Sequence, residues 1–443
     1  MTLDVLLVEG WMAGSHEAWA EGWRSRSRHR IDLVTQPGTH WQHRMTAGSV
    51  PLASAVADHV SAHGSPDVLV VTDMVDLASL LGLVGSMSGG ALSRVPSVLY
   101  LHENQLTQPP SPNGVGGGRG RHLGWTNWRS MVAADAVWSN SQWQLTSLFE
   151  SLGDMLGEAP DSAGQLPLVP RVRERCSVQP VGCDLADLLA SRPNSGASDG
   201  GGGGPDGPAG ECAAMRAGEV SDEGAYTGVA RGVGQGDVPG DVAGDGGGEI
   251  EVIDDGREVR PPLVLWNHRW SHDKGLSAAV TSMKTLAAEG LDFEVAVVGA
   301  DDHHDPGRAQ AVLAPLAERI VHTGWMERDD YRDLLTTADV VVAAPLQENF
   351  GISVVEAVAA GCIPVVPDAL SYPETIDEPS LRYPEGRLTT HLRSVLMDPE
   401  QFRPAAQRCR SRLVRFDWQT VAAAYDSAVE QLVDAAHAPP AGR

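Results

Sequence analysis

Two stretches in which short apolar runs alternate with helical segments flank about seventy residues that cannot fold alone, and this division constrains the architecture most. Between residues 190 and 259 the chain holds the unbroken run Gly200–Gly204 and is otherwise dominated by Gly, Asp, Pro, Ala and Glu. Such a segment buries too little apolar surface to offset the entropy lost on ordering. It reads as a disordered acidic linker or insertion, with a partner-binding acidic tail as the alternative. Upstream, strand-like runs occupy 3–9, 31–35, 67–72, 97–102 and 136–140, with helical stretches between them, for example Val50–Ala62 and Ala134-Asp135. Downstream they occupy Leu263–Asn267, Phe293–Val298, Ile320–His322, Val340–Ala343 and Ile363–Val366. Short strands wound by helices indicate parallel sheets. The reading is therefore an α/β chain of two Rossmann-like domains facing a central cleft. Their limits are 1–189 and 260–415, and a helix in 416–443 packs back toward the first.

Charge and cysteine content narrow the function. The net charge of −25 argues against a surface coated by nucleic acid or membrane. Of it, −9 falls within 191–260, which keeps that piece solvated. Five cysteines, Cys176, Cys183, Cys212, Cys362 and Cys409, have neither zinc-ligand nor redox spacing and read as reduced thiols. The chain opens on the strand-like Leu3–Glu9 without a signal-peptide core, and no apolar run reaches membrane-spanning length. A soluble, cytoplasmic protein is expected.

Each chemical motif follows a strand, where ligands bind in open α/β sheets. Glu348-Asn349-Phe350-Gly351-Ile352 leads into a helix carrying Glu356 and the small residues Ala357, Ala359, Ala360 and Gly361. Backbone N–H groups at such a helix start suit a phosphate, and the two carboxylates suit hydroxyls, Glu356 those of a ribose and Glu348 those of a sugar. After Leu263–Asn267 come Arg269 and Lys274, which can both face a diphosphate, one as a planar fork and one as a point charge. Only Lys274 and Lys284 are lysines against 31 arginines, so a lysine here is chosen against composition. Gly10 to His16, with Gly14 and Ser15, reads as a turn close to phosphate or sugar, or simply as a tight turn. His102, before Glu103, Asn104 and Gln105, can donate to a sugar hydroxyl or stabilise developing charge; capping of the next segment is its bland reading. His303-His304-Asp305 lacks the distant third ligand that a metal site needs. Arg24, Arg26, Arg28, His29 and Arg30 read as a solvated helix face. With Arg44, Trp23, Trp41, Arg119, Arg121, Trp125, Trp128 and Arg129 they would alternatively grip phosphates and stack bases.

These motifs carry a family resemblance. The Arg-x4-Lys pair Arg269/Lys274 and the Glu-x7-Glu pair Glu348/Glu356 resemble those of the retaining GT-B glycosyltransferases of family four. Glu9 to His16, Leu101 to Leu106, Ser139-Asn140-Ser141 and His268 to Lys274 are similar to the tRNA-queuosine α-mannosyltransferases, over nearly the whole chain outside 190–259. Trp11-Met12 departs from the aromatic-glycine pair usual there, and Gly114–Gly120 has no counterpart. The resemblance implies mannose transfer from GDP-mannose to queuosine at the wobble position of tRNA(Asp), without an obligatory metal or other cofactor. It implies His102, Arg269, Lys274 and Glu348 as catalytic residues. Gly14, Ser15, Asn349, Phe350, Gly351, Ile352 and Glu356 would bind the donor, and His16, Glu103, Asn104 and Arg121 the acceptor. Alternatives are a family-four enzyme with a small or lipid-linked acceptor, and a non-catalytic nucleotide-sugar binder.

Overall fold

The computed structural model describes residues 2–107, 119–191, 260–300 and 311–438. The expected insertion (from residue 192), Gly114–Gly118 and His303-His304-Asp305 lie outside the described residues. Two six-stranded sheets form, with every pairing parallel. The first contains β1 (Asp4–Met12), β2 (Arg30–Pro37), β3 (Val68–Thr72), β4 (Ser97–Leu101), β5 (Ala136–Ser139) and β6 (Cys176–Val178) in the order β2-β1-β3-β4-β5-β6. The second contains β7 (Leu263–Trp266), β8 (Glu294–Val298), β9 (Ile320–Gly324), β10 (Val340–Val342), β11 (Ile363–Pro367) and β12 (Arg382–Tyr383), ordered β12-β11-β10-β7-β8-β9. β3, β4, β7 and β10 are buried along their whole length, as helices on both faces require.

Both sheets reverse their winding in the middle, between β1 and β3 and between β7 and β10. Loops leaving the strands there part to opposite faces and open a crevice at the carboxyl ends. The segments expected to carry chemistry leave those strands: Gly14–His16 after β1, His268–Lys274 after β7 and Gln347–Gly351 after β10.

Three details differ from the expected element limits. β1 continues through Gly10–Met12, with a register shift between Glu9 and Met12, so the turn starts later than the glycines suggest. Ala134-Asp135 is the turn before β5 rather than helix. The short strands β6 and β12 were not expected at all.

The lobes are joined at a double crossing. Cys183 N–H donates to the Phe416 carbonyl at 2.8 Å, Trp418 N–H to the Cys183 carbonyl at 3.1 Å, and Leu185 N–H to Asp417 Oδ2 at 3.2 Å. Helix Trp418–His437 then lies on the first lobe's helix Gly14–Arg26. Trp19 Nε1 donates to the Tyr425 hydroxyl at 3.1 Å and Trp23 Nε1 to Asp426 Oδ1 at 2.9 Å. The Trp418 indole fills space left by Gly22 and Gly182, where an added Cβ would come within 2.3 Å of it.

Across the cleft, the Glu374 carboxylate accepts the N–H groups of Gln142 at 2.8 Å and Trp143 at 2.6 Å, at the start of helix Gln142–Gly157. A carboxylate there meets unsatisfied donors and the positive end of the helix dipole. Glu374→Ala is expected to lower stability by about 1 kcal/mol in urea unfolding; an unchanged midpoint would mean that the cap contributes nothing.

Candidate active site

At the second sheet's switch point, the Lys274 ammonium sits among oxygens. It lies 3.1 Å from Glu348 Oε2, 3.3 Å from Asp273 Oδ2 and 3.3 Å from the Gln347 carbonyl. Burial opposes its charge, but Glu348 and Asp273 outweigh burial and hold its pKa above the ordinary value. For Glu348 burial again works against the charge, and Lys274, with the Phe350 N–H, overcomes it, so the carboxyl stays ionised below its ordinary range. Glu348 Oε1 also accepts the Gly351 N–H at 3.1 Å, which fixes the bend before helix Ile352–Ala360. Arg269 is exposed on the same loop, close enough for its charge to act on Asp273 and Lys274.

This geometry depends on two left-handed glycines. Gly351 has φ +89°, and Gly275 has φ +70° with room for no Cβ, which would fall 1.8 Å from the Ala344 carbonyl oxygen. Gly275→Ala is expected to cost about 2 kcal/mol, through the disfavoured φ and the displaced loop. Chemical denaturation together with nucleotide-binding calorimetry reads both consequences, and wild-type values in both would refute the argument.

Glu356 is buried one helical turn further along. Its oxygens meet Arg328 Nη2 at 2.8 Å and the Tyr331 hydroxyl at 3.3 Å. Asn267 Nδ2 donates to the Tyr331 hydroxyl at 3.0 Å and to the Ser353 carbonyl at 2.8 Å. His268 Nδ1 lies 3.2 Å from Ser353 Oγ, and burial pushes its pKa down to about 4, so this imidazole is neutral. The loop that carries Arg269 thus meets the start of the Glu356 helix through the His268–Ser353 contact. The Arg328–Tyr331 pair was missed because it lies some 25 residues upstream of Glu356, in a helix whose pattern is that of a polar surface.

The first sheet contributes His102, buried after β4, with Nε2 enclosed and without a partner among the described residues. Burial, then the charge of His16, keep it far below its ordinary pKa, so it is neutral. Its ring stacks 4.0 Å from that of His16. The two lobes touch at this residue: its carbonyl accepts from Asn140 Nδ2 at 2.8 Å and from Asn349 Nδ2, across the cleft, at 3.4 Å. Gln347 Nε2 adds a bond to Thr107 Oγ1 at 3.0 Å. Glu9 and Asp73, which were not expected at the site, lie buried beside His16. Glu9 Oε2 is 3.1 Å from His16 Nδ1. Burial lowers the pKa of His16, yet Glu9 prevails and carries it to about 9, an imidazolium at neutral pH. Among the described residues, Glu9, His16 and His102 present atoms within 4.8 Å of one another, a spacing open to a divalent ion. In the described arrangement Glu9 and His16 are placed as a hydrogen-bonded pair.

Several expected contacts take another form. The Phe350 ring is buried edge-on against Phe416 at 5.0 Å, so its backbone rather than its ring faces the bend. Asn104 is fully buried and shapes its own loop, Oδ1 accepting from Thr107 N and Oγ1, both at 3.0 Å. Glu103 Oε1 accepts from Gln105 Nε2 at 3.2 Å. Gly14 opens its helix at φ +56°, with Ser15 following in the first turn. The side chain of Arg121 lies outside the described residues. The basic run is an exposed face whose arginines meet acids. Arg24 pairs with Glu21, Arg26 with Asp184 and Arg28 with Glu430, each at 2.6 Å, and Arg30 with Asp4 at 2.9 Å. Arg129 pairs with Asp76 at 2.8 Å, and Trp23 and Trp128 are core residues.

Residues 4–183 match the family described as tRNA-queuosine alpha-mannosyltransferase N-terminal, and residues 250–403 match Glycosyl transferases group 1. The chain is a glycosyltransferase whose amino-terminal lobe resembles that of the tRNA-queuosine alpha-mannosyltransferases. The tRNA-queuosine alpha-mannosyltransferase of Drosophila melanogaster is 24% identical over 406 residues, covering 90% of this chain and 88% of that protein. A GDP-mannose-dependent alpha-(1-6)-phosphatidylinositol dimannoside mannosyltransferase of Mycobacterium tuberculosis is 27% identical over 169 residues, 37% of this chain and 43% of that one. Among solved structures, Anabaena HepE in complex with UDP superposes with a TM-score of 0.59 at 15% identity, covering 97% of this chain and 100% of that one. The glycosyltransferase thus has the GT-B fold, as its two parallel sheets and central crevice indicate. It is a hexosyltransferase. Among its described residues, no helix is long and apolar enough to cross a membrane.

Proposed function

We propose that this enzyme transfers mannose from GDP-mannose, with retention, to queuosine at the wobble position of tRNA(Asp). The observation that carries the reading is the pairing of two sites: a cation–carboxylate bend at the β7/β10 switch point, and an amino-terminal lobe that matches this acceptor family along nearly its whole length. The diphosphate of the donor meets the start of helix 352–360, Arg269 and Lys274, and Glu356 with Arg328 and Tyr331 holds the ribose. Glu348 orients the sugar and His102 meets its hydroxyls. As the anomeric bond breaks, negative charge collects on the departing diphosphate, and preorganised cations stabilise it without reorganisation. The reaction needs no metal, because Lys274 and Arg269 supply the positive charge at that place.

A small-molecule acceptor is the second reading, favoured by the ion-paired state of Arg24, Arg26, Arg28 and Arg30, which leaves that run little charge to offer phosphates. Incubation with GDP-mannose and tRNA containing queuosine, followed by nucleoside mass spectrometry, separates the two. Hexosyl-queuosine is the expected product. Donor hydrolysis without any hexose on the tRNA would overturn the tRNA reading.

A further inference from the structure

At the end of the first sheet opposite the crevice, a helix and a strand gather two histidines and an aspartate around a small void. Side chains alternate along a strand. In β2, Ile31 and Leu33 join one core, while Val34 joins the other, with Leu52, Val56 and Val60 of helix Ser49–His63. Asp32 therefore emerges on the face of β2 that this helix covers, one step nearer the amino end than Val34. There it meets the last helical turn. His59 and His63 stand in that turn at i and i+4, the spacing that puts two side chains on one helix face. Their rings lie 4.5 Å apart and are tilted by 31°.

The distances are not those of an ordinary surface ion pair. His59 Nε2 is 3.6 Å from Asp32 Oδ2, too long for a hydrogen bond. Arg30 Nε is 3.8 Å from the same oxygen, and its guanidinium instead meets Asp4 at 2.9 Å. The Asp32 carboxylate thus accepts no hydrogen bond among the described residues, although two donors stand close. Two ligands each about 2.1 Å from a tetrahedral ion lie roughly 3.4 Å from one another, so the His59–Asp32 gap has nearly the width of a metal bridge. His63 Nδ1 lies 3.1 Å from the His59 carbonyl. An N–H donated there fixes the tautomer and leaves Nε2 as the ligating atom. His63 is exposed and turns toward the void without disturbing the core. The void, bordered by Asp4, Arg30, Asp32, His59, His63 and Ser65, measures about 10 Å³, room for one water-sized sphere.

We propose that Asp32, His59 and His63 hold a divalent transition-metal ion of the zinc class, which braces the end of helix Ser49–His63 against β2. Water completes its coordination. Two imidazoles and a carboxylate suit zinc, nickel or copper, whereas magnesium takes oxygen ligands. The carboxyl end of a helix favours a cation, and Asp4 neutralises the one nearby guanidinium, that of Arg30. Asp4 and Arg30 are the first residues of β1 and β2, so the site lies a strand's length from the crevice and takes no part in hexose transfer.

Calorimetric titration of the chelator-treated full-length protein with zinc, at about pH 7.5 where free imidazoles are neutral, tests the site. Wild type is expected to bind one more zinc ion than His63→Gln does, or to bind that ion at least about tenfold more tightly. Asp32→Asn should weaken the same ion by a similar factor. Both variants should keep wild-type GDP affinity, because the crevice lies at the other ends of the strands. Identical zinc isotherms for wild type and His63→Gln would overturn the site, and a wild-type isotherm for Asp32→Asn would overturn the three-ligand set. Zinc should also raise the urea midpoint of wild type and not that of His63→Gln, since the ion binds only the folded lobe. An equal rise in both would overturn the bracing role.

Discussion

Lys274→Ala is expected to reduce hexose transfer by about 10²- to 10³-fold, the scale on which loss of one preorganised charge-stabilising donor is felt. The ammonium stands where negative charge appears on the departing diphosphate, and it is already held in position by Glu348, Asp273 and the Gln347 carbonyl. A second effect accompanies the first. Without Lys274, the Glu348 carboxylate keeps its burial and loses its nearest cation, so the bend that it fixes through Gly351 loosens. Single-turnover rates, donor affinity and melting temperature measured on one preparation distinguish the two. A variant that melts lower yet transfers at near-normal rates would reduce Lys274 to a structural pair.

Stability should fall as pH rises from about 6.5 to about 9, and Glu9→Gln should abolish that slope. His16 is raised on folding from 6.5 to about 9 because Glu9 overcomes its burial. A raised histidine stabilises fully below its unfolded pKa and loses that contribution as pH climbs through the folded value. At about 1.4 kcal/mol per pH unit, the full difference is about 3.5 kcal/mol. Asp73 acts in the same direction at lower pH: its carboxyl, raised from 3.8 to about 7, destabilises progressively across that interval. In Glu9→Gln, burial of His16 meets no opposing carboxylate from Glu9, so the imidazole stays neutral. The amide oxygen can still accept from Trp11 or Thr72. Urea unfolding at several pH values should show wild type and variant converging near pH 9, and parallel curves would sink the prediction.

Much of the fold was legible because its signals are local. The largely apolar runs that became β3, β4, β7 and β10 have the length and β-branched or leucine content of strands buried on both faces. β6 and β12 escaped notice because three and two residues give no pattern. The Arg269–Lys274 and Glu348–Glu356 spacings are also local, since each pair lies on one loop or one loop and its helix. Glu9 and Asp73 were hidden for the opposite reason: each adjoins an apolar run and reads as the end of a strand. The available signal was Glu9 itself, an acid directly following Leu6-Leu7-Val8, where a charge demands a partner. The basic run read as a solvated face, which it is, but its neutralising acids Asp184 and Glu430 could not be named because they are remote in the chain.

The two crossings between lobes lie side by side, Cys183 bonded to Phe416 and Trp418, and this restricts how the crevice can admit a ligand. Two chain segments laced together act as the spine of a book, permitting rotation and opposing translation. The mouth therefore widens most at the edge furthest from that spine. Swinging the covers apart must break the Gln347–Thr107 and Asn349–His102 latches together with the Glu374 bonds to Gln142 and Trp143.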